Sequence, residues 1–86
     1  MDKQWKVYIL RCGDGTLYTG VSTDVAARLE AHRSGKGAKY TKSRLPLELA
    51  YTEDCADKVT AFRREWQIKH LTREEKLKLI EEKTSG

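Results

Sequence analysis

The sequence predicts an α+β domain in which a small three-stranded sheet is flanked by helices, in the order ββαβαα. Two strand-forming segments bracket the turn signal Gly13-Asp14-Gly15, which predicts a hairpin from Trp5 to Val21. After Val21 the apolar spacing changes from a period of two to a helical period. A third strand opens at Pro46, and two further helical segments follow it.

The length of the hairpin loop determines where Tyr8 and Tyr18 point. A two-residue turn puts the two phenols on opposite faces of the hairpin, because side chains alternate along a strand. A three-residue loop instead pairs Tyr8 with Gly20 and brings both phenols to one face. Convergence of the phenols therefore predicts the longer loop, with Gly15 as a left-handed bulge residue.

The other elements each carry an apolar stripe and end signals. The helices are expected over 24–34, over 57–70 and from Thr72 onward. The expected inward positions are Val25 and Leu29 on the first helix, Leu47, Leu49 and Tyr51 on the third strand, Val59, Phe62 and Trp66 on the second helix, and Leu77 and Ile80 on the third. The expected N-caps are Thr23 or Ser22, then Asp57 or Asp54, then a capping box at Thr72, and Gly35 is expected to end the first helix. Trp5 is expected in the core as well.

Composition limits the kinds of protein this chain can be. The 86 residues suit one domain over 1–82 with a frayed tail at 83–86. The two cysteines are too few for a disulfide scaffold or a four-thiolate zinc site, so we expect both to be reduced and buried. The absence of a signal peptide and of a long apolar run predicts a cytoplasmic protein with no membrane contact.

The net charge of +4 is concentrated in the first part of the chain, because the segment from Thr72 onward is balanced. The loop between the first helix and the third strand is basic and carries no acid. Its candidate nucleic-acid-binding residues are Lys36, Lys39, Tyr40, Lys42 and Arg44. Such a loop suits a phosphate backbone and base stacking, and it equally suits a solvated surface, so both interpretations stay open.

Three helical residues stand out for their chemistry. Glu65 lies at the edge of the apolar stripe of the second helix, and Arg28 and His32 share one face of the first. Taken singly, each has an ordinary explanation: an ion pair for Glu65, a solvated rim for the other two. Half-buried tyrosines on strands are equally common.

Taken together, five motifs in order resemble the GIY-YIG nuclease superfamily, and specifically its small stand-alone bacterial group of uncharacterised proteins. The motifs are Lys6-Val7-Tyr8, Tyr18-Thr19-Gly20, Thr23-Asp24 with Arg28-Leu29 and His32, Gly37-Ala38-Lys39-Tyr40-Thr41, and Arg63-Arg64-Glu65-Trp66 with Ile68-Lys69. The resemblance runs from Trp5 to about residue 80.

This resemblance implies a divalent-metal-dependent endonuclease that hydrolyses DNA phosphodiester bonds, with low sequence specificity or with selectivity for branched or damaged DNA, as in DNA repair. Glu65 is the implied ligand of one Mg²⁺ or Mn²⁺, held weakly without substrate. Arg28 is implied to bind phosphate oxygens, and Tyr8 to orient or deprotonate the attacking water. Nearby cations are then expected to favour the ionised phenol. Tyr18 and His32 complete the implied catalytic set.

Two other functions remain open from the sequence. The chain contains no asparagine, whereas many larger relatives use one downstream of the metal-binding glutamate. The alternative is therefore a catalytically inactive nucleic-acid-binding module on the same scaffold. The third possible function is that of an interaction module built on the third helix. A nuclease of this size is expected to act as a homodimer or with a partner protein.

Overall fold

The computed structural model describes residues 4–36 and 45–85, with side chains up to residue 83. The strands are β1 (Trp5–Cys12), β2 (Leu17–Ser22) and β3 (Leu47–Cys55), and the helices are α1 (Val25–Arg33), α2 (Lys58–Lys69) and α3 (Arg73–Ser85). The strands form an antiparallel sheet in the order β2-β1-β3. The predicted α+β class and the predicted element order are confirmed.

The hairpin has the three-residue loop that the sequence predicts. Tyr8 pairs with Gly20 and Leu10 with Tyr18. The loop is closed by hydrogen bonds of 2.8 Å from the Cys12 amide to the Thr16 carbonyl and 2.9 Å from the Gly15 amide to the Cys12 carbonyl. Gly15 has a φ of 85°, the left-handed conformation that glycine adopts without steric cost. Both phenols therefore lie on one face.

The sheet is covered on both faces, and β1 supplies buried side chains to each. On one side Val7 and Ile9 pack with residues of β3, α2 and α3, including Ile68 and Ile80. On the other side Tyr8 and Leu10 pack with Cys12 and Leu47, and residues of α1 and β2 close over them: Val25, Leu29 and Tyr18. Both cysteines are buried and free, as expected. The tyrosine face is thus the face that α1 covers.

The sequence wrongly predicts a single buried face on β3. The pairing with β1 shifts between Ile9 and Leu10, since Ile9 pairs with Tyr51 and Leu10 with Leu49. The extra residue reverses the alternation along β3. Leu47 consequently joins the core under α1, Tyr51 joins the opposite core, and Leu49 is exposed.

The helix ends largely follow the sequence, with one correction at the start of α1. The N-cap is Asp24, whose carboxylate accepts from the Ala27 amide at 3.1 Å, and not Thr23 or Ser22. Ser22 instead accepts from the Asp24 amide at 2.9 Å, so its hydroxyl is already used one residue earlier. At the other end Gly35 has a φ of 82° and terminates the helix.

The two later helices begin as the sequence predicts. The Asp57 side chain accepts from the Thr60 amide at 2.8 Å. At α3 the Thr72 amide donates to Glu75 at 2.8 Å and the Glu75 amide donates to the Thr72 hydroxyl at 3.2 Å, which is the expected capping box. These hydrogen bonds hold the pKa of the Asp57 and Glu75 carboxyls below their usual values.

The orientation of α2 differs from the sequence prediction. Val59, Phe62 and Trp66 were expected to face the sheet, and their exposed fractions are 67%, 47% and 62%. The inward face carries Ala61 and Ile68, which are fully buried. Ala61 lets the helix approach the sheet closely, and this rotation brings Arg64 and Glu65 to the sheet side. The prediction of a core position for Trp66 is therefore wrong.

Thr19 offers a test of this packing, because the residue is 3% exposed and its buried hydroxyl has no hydrogen-bond partner among the described residues. Replacing Thr19 with valine keeps the shape and removes the unpaired hydroxyl. We expect the free energy of unfolding to rise by about 1 kcal/mol in urea denaturation. The Thr16→Val variant is the control, since that hydroxyl donates to Asp14 at 2.6 Å and its removal is expected to destabilise the fold. Equal changes in the free energy of unfolding for the two variants would contradict the conclusion that the Thr19 hydroxyl is unpaired.

Candidate functional site

Four of the five predicted catalytic residues come together on the α1 side of the sheet. Tyr8 comes from β1, Tyr18 from β2, and Arg28 and His32 from α1. The Tyr8 hydroxyl lies 3.1 Å from Nε2 of His32. The Tyr18 ring meets the His32 ring edge-on, with centroids 5.3 Å apart. Arg28 is exposed, and its positive charge acts on the Tyr8 phenol.

The Tyr8 ring occupies space that only a glycine leaves open. Its side chain is 1% exposed and lies over Gly20, its partner on β2. A Cβ atom added to Gly20 would lie 2.5 Å from the Tyr8 hydroxyl oxygen and 2.6 Å from its ring carbon Cζ. The sequence gives the pairing of these two residues, but the direction in which the ring leans follows only from the packing under α1. Gly20 thus belongs to the site although it contributes no side chain.

Among the protein groups around Tyr8, burial has the largest effect on the pKa of the phenol. Burial raises the pKa of the phenol, and the neighbouring Tyr18 and Glu65 act in the same direction. The neighbouring Arg28 lowers that pKa but does not outweigh burial. Tyr8 is therefore a neutral phenol at pH 7. Its hydroxyl can donate a proton to an unprotonated Nε2 of His32, 3.1 Å away.

Burial lowers the pKa of His32, and the nearby Arg28 charge adds to this effect. The unfolded chain therefore binds a proton at His32 at a higher pH than the folded chain does. The free energy of unfolding is expected to be highest above about pH 6.5 and to fall as the pH drops from there toward the lower folded pKa. Urea denaturation between pH 7.5 and 5.5 measures this slope, above the range in which Asp57 and Glu75 titrate.

The His32→Gln variant is the control for this pH dependence. It is expected to be less stable overall but to lose most of the slope between those two pH values, because the titrating imidazole is gone. A slope that persists in the variant would assign the pH dependence to another group.

Glu65 lies on α2, which packs on the opposite side of the sheet from α1. It is 19% exposed, and its carboxylate lies 3.5 Å from Nζ of Lys69, one turn later and half exposed. The spacing of four residues could have predicted this pair. The negative charge of Glu65 contributes to raising the pKa of Tyr8, and its ion pair with Lys69 is partly exposed.

A separate network fixes the helix that carries Glu65. Arg64 Nε donates to Glu53 on β3 at 2.8 Å, and the Tyr51 hydroxyl donates to the same carboxylate at 2.8 Å. Burial and this hydrogen bond to Glu53 raise the pKa of Tyr51 to about 12. Because Arg64 precedes Glu65 in the chain, the ion pair holds the rotation of α2 that turns Glu65 toward the sheet.

The remaining candidates have different outcomes. Lys36 is exposed at the end of α1, and Lys39, Tyr40, Lys42 and Arg44 lie outside the described residues.

Within 4–36 and 45–85, no group of three or more potential metal ligands occurs. A cavity of about 550 Å³ opens between β3 and α3 and does not include the tyrosines.

The chain matches the model of the GIY-YIG catalytic domain over residues 4–78. The chain belongs to the GIY-YIG family. The match includes both tyrosines, Arg28, His32 and Glu65, and it confirms the resemblance drawn from the motifs. The family places the chain among nuclease domains, which are hydrolases. GIY-YIG nucleases in general depend on divalent metals.

Relatives of this GIY-YIG domain are small bacterial proteins of similar length. A UPF0213 protein of Staphylococcus epidermidis is 55% identical over 82 residues, covering 95% of this chain and 99% of the relative. A UPF0213 protein of Streptococcus sanguinis is 50% identical over 86 residues, covering 100% and 99%. The predicted membership of a small stand-alone group is confirmed.

Two solved structures share the fold. The solution NMR structure of a UPF0213 protein from Bacillus halodurans has a TM-score of 0.59 at 47% identity, covering 91% of this chain and 83% of that one. The solution NMR structure of a protein from E. faecalis has a TM-score of 0.61 at 34% identity, covering 91% and 84%. In the described part of this GIY-YIG domain, none of the helices is long and apolar enough to cross a bilayer.

Proposed function

We propose that this protein is a divalent-metal-dependent DNA endonuclease with low sequence specificity or with selectivity for branched or damaged DNA, acting in the cytoplasm. The observation that carries the proposal is the cluster of Tyr8, Tyr18, Arg28 and His32, assembled from three elements in a GIY-YIG domain. A phosphodiester is an anion, and the exposed guanidinium of Arg28 at the edge of this cluster can bind two of its oxygens at once.

The neutral state of the cluster suggests how a water molecule loses its proton. As the water oxygen attacks phosphorus and the bond to the leaving oxygen breaks, the water proton passes to the Tyr8 oxygen while the phenol gives its own proton to His32. The lowered pKa of His32 keeps this imidazole neutral and able to accept at pH 7. Arg28 opposes the charge that develops on the phosphoryl oxygens.

The donor chemistry of Glu65 fits a weakly held Mg²⁺ or Mn²⁺. Magnesium sites commonly use one or two protein carboxylates and complete their shell with waters and substrate phosphate. Glu65 is a partly exposed carboxylate whose charge reaches Tyr8. The ion, when bound with substrate, would neutralise charge on the scissile phosphate.

The test is a cleavage assay on supercoiled plasmid and on branched, nicked and duplex DNA. We expect nicking in Mg²⁺ or Mn²⁺, no product in EDTA, and recovery when excess metal is restored. Size measurement of the protein with and without DNA would show whether it acts as a homodimer. Cleavage that continues in EDTA would refute the metal-dependent assignment.

A second function is favoured by one observation, the ion pair between Glu65 and Lys69. A carboxylate that already has a cation suits a binding module that keeps the scaffold without turnover. This module would bind DNA with an affinity that falls as the salt concentration rises. It would not cleave DNA, whichever metal is added. The same assays therefore separate the two functions.

Lys69 also gives a prediction under the nuclease proposal. Because Lys69 competes with a divalent ion for Glu65, replacing it with methionine should lower the Mg²⁺ concentration for half-maximal cleavage by about two- to fivefold, the range expected for a half-exposed ion pair. Titration of cleavage rate against Mg²⁺ measures this. The Lys78→Met variant, at an exposed position of α3 that forms no ion pair with the described residues, should leave the metal requirement unchanged. An unchanged requirement in Lys69→Met would show that the pair does not compete.

A further inference from the structure

An apolar stripe on the outer face of α2 is exposed in the part of the chain that the structure describes. Val59, Phe62 and Trp66 lie along this face and are 67%, 47% and 62% exposed. We call these three residues the α2 stripe. Large apolar side chains that are exposed in a row on a small domain commonly mark an interaction site.

The two aromatic rings of the stripe are held in place by neighbours rather than buried. The Phe62 ring contacts the Trp5 ring, with centroids 6.3 Å apart. The Trp66 indole stacks on the His70 ring at 4.1 Å with an angle of 31° between the planes. A hydrogen bond of 2.7 Å between His70 Nδ1 and the Trp66 carbonyl holds that imidazole to the helix. The indole is thus presented in a fixed orientation with much of its surface open.

The charges beside the stripe indicate an anionic partner. Arg63 is exposed and lies one turn from both Val59 and Trp66, and Lys58 is exposed at the start of the helix. The acid within α2, Glu65, is mostly covered, and the N-cap carboxylate of Asp57, which also acts on Arg63, accepts from the Thr60 amide. A second copy of this chain docked symmetrically with the middle of the stripe on the two-fold axis would bring Arg63 close to its own copy, which opposes self-association. A polyanion that carries flat rings matches both features.

The stripe lies on the same helix as Glu65. Trp66 follows Glu65 directly, and Lys69 lies one turn after Trp66. Because consecutive side chains point in different directions around a helix, a DNA strand that contacts both Glu65 and Trp66 would have to follow the surface of α2. Bases inside a duplex are covered by their neighbours, so only an unpaired base presents a face on which an indole can stack.

Resting on the proposed function, we propose that the α2 stripe is a stacking platform for unpaired bases of the DNA substrate, with Trp66 as the main contact and Arg63 binding the adjoining phosphate. The platform would direct the nuclease to DNA with unpaired nucleotides, such as flaps, bubbles and branch points.

The experiment compares binding of a fluorescein-labelled oligothymidylate of about 12 nucleotides with binding of a duplex of the same length, by anisotropy in EDTA. Trp66→Ala is expected to weaken binding of the oligothymidylate about tenfold and of the duplex less than about twofold. Trp66→Phe is expected to restore most of the affinity, because it keeps a ring. Leu49→Ala, which truncates an exposed apolar residue of β3, is the matched control and should change neither affinity.

Several outcomes would overturn the platform. Equal losses for the two ligands, or no loss, would show that Trp66 does not select unpaired bases. A dimer in wild-type protein that Trp66→Ala converts to monomer, with unchanged DNA affinity, would assign the stripe to self-association. If no metal supports cleavage but the Trp66 dependence of oligothymidylate binding holds, the proposed nuclease fails and the platform stands. If cleavage occurs and Trp66→Ala leaves binding unchanged, the proposed nuclease stands and the platform fails.

Discussion

Replacing Glu65 with glutamine is expected to reduce DNA cleavage by at least about 100-fold in Mg²⁺, the scale typical of losing one charged group at a phosphoryl-transfer site. The amide keeps the size of the side chain and removes the charge that would hold the ion. Stability should change little, since the ion pair with Lys69 is half exposed and such pairs contribute on the order of 1 kcal/mol or less. Initial rates of plasmid nicking, with urea denaturation of the same preparations, measure both effects.

The matched control is Glu82→Gln, which removes one carboxylate from an exposed position on α3. It should leave the rate unchanged and thus exclude an effect of net charge alone. DNA binding by Glu65→Gln should persist, because Arg28 and the cations of α2 are untouched. Cleavage at the wild-type rate by Glu65→Gln would remove this acid from the reaction.

The hairpin is the part of the site that the sequence predicts best. The Gly13-Asp14-Gly15 loop is a local signal, and one residue of loop length decides the face of every side chain on β2. The turn signal allows a loop of two or three residues, so the turn alone leaves the face of Tyr18 open. The expectation that both phenols converge selects the three-residue loop, and the observed pairing of Tyr8 with Gly20 confirms it.

The orientation of α2 could not be predicted in the same way. Its sequence contains two stripes of similar merit, one with Phe62 and Trp66 and one with Ala61 and Ile68. In the helix considered alone, burying the stripe with the larger rings is the more favourable choice. The observed rotation is held by a contact outside the helix, because Arg64 pairs with Glu53 on β3 while the second stripe faces the sheet. That rotation leaves the aromatic residues outside.

The protonation state of Tyr8 likewise depends on packing that no motif reveals. The sequence places cationic side chains near the phenol, which by itself favours the ionised form. The covering of the ring by α1 removes water and raises the pKa instead. The same enclosure keeps His32 neutral, so the fold replaces an ionised phenol with a neutral hydrogen-bonded pair. Under the proposed function, the proton acceptor is then the neutral imidazole of His32 and not a phenolate.

Replacing Gly20 with alanine is expected to disrupt both the fold and the site. The added Cβ would lie 2.5 Å from the Tyr8 hydroxyl oxygen and 2.6 Å from Cζ, distances that no relaxed structure contains. The Tyr8 ring is enclosed, so it can move only by displacing α1 or its own strand. We expect a loss of about 1–3 kcal/mol in the free energy of unfolding, as for other overpacked cores, together with loss of cleavage in the folded fraction. Urea denaturation and plasmid nicking at low temperature measure the two losses.

A double-mutant cycle shows whether this cost comes from the contact with Tyr8. In a Tyr8→Ala background the added methyl group has room, so Gly20→Ala should cost much less there, and the coupling free energy between the two positions should exceed about 1 kcal/mol. Gly15→Ala is the contrasting glycine, because its φ of 85° makes alanine strained although the space around it is open. Its cost should be the same with and without Tyr8. Equal costs for Gly20→Ala in the two backgrounds would mean that the Tyr8 ring does not depend on the bare backbone beneath it, and the fixed geometry of the phenol and His32 would then need another cause.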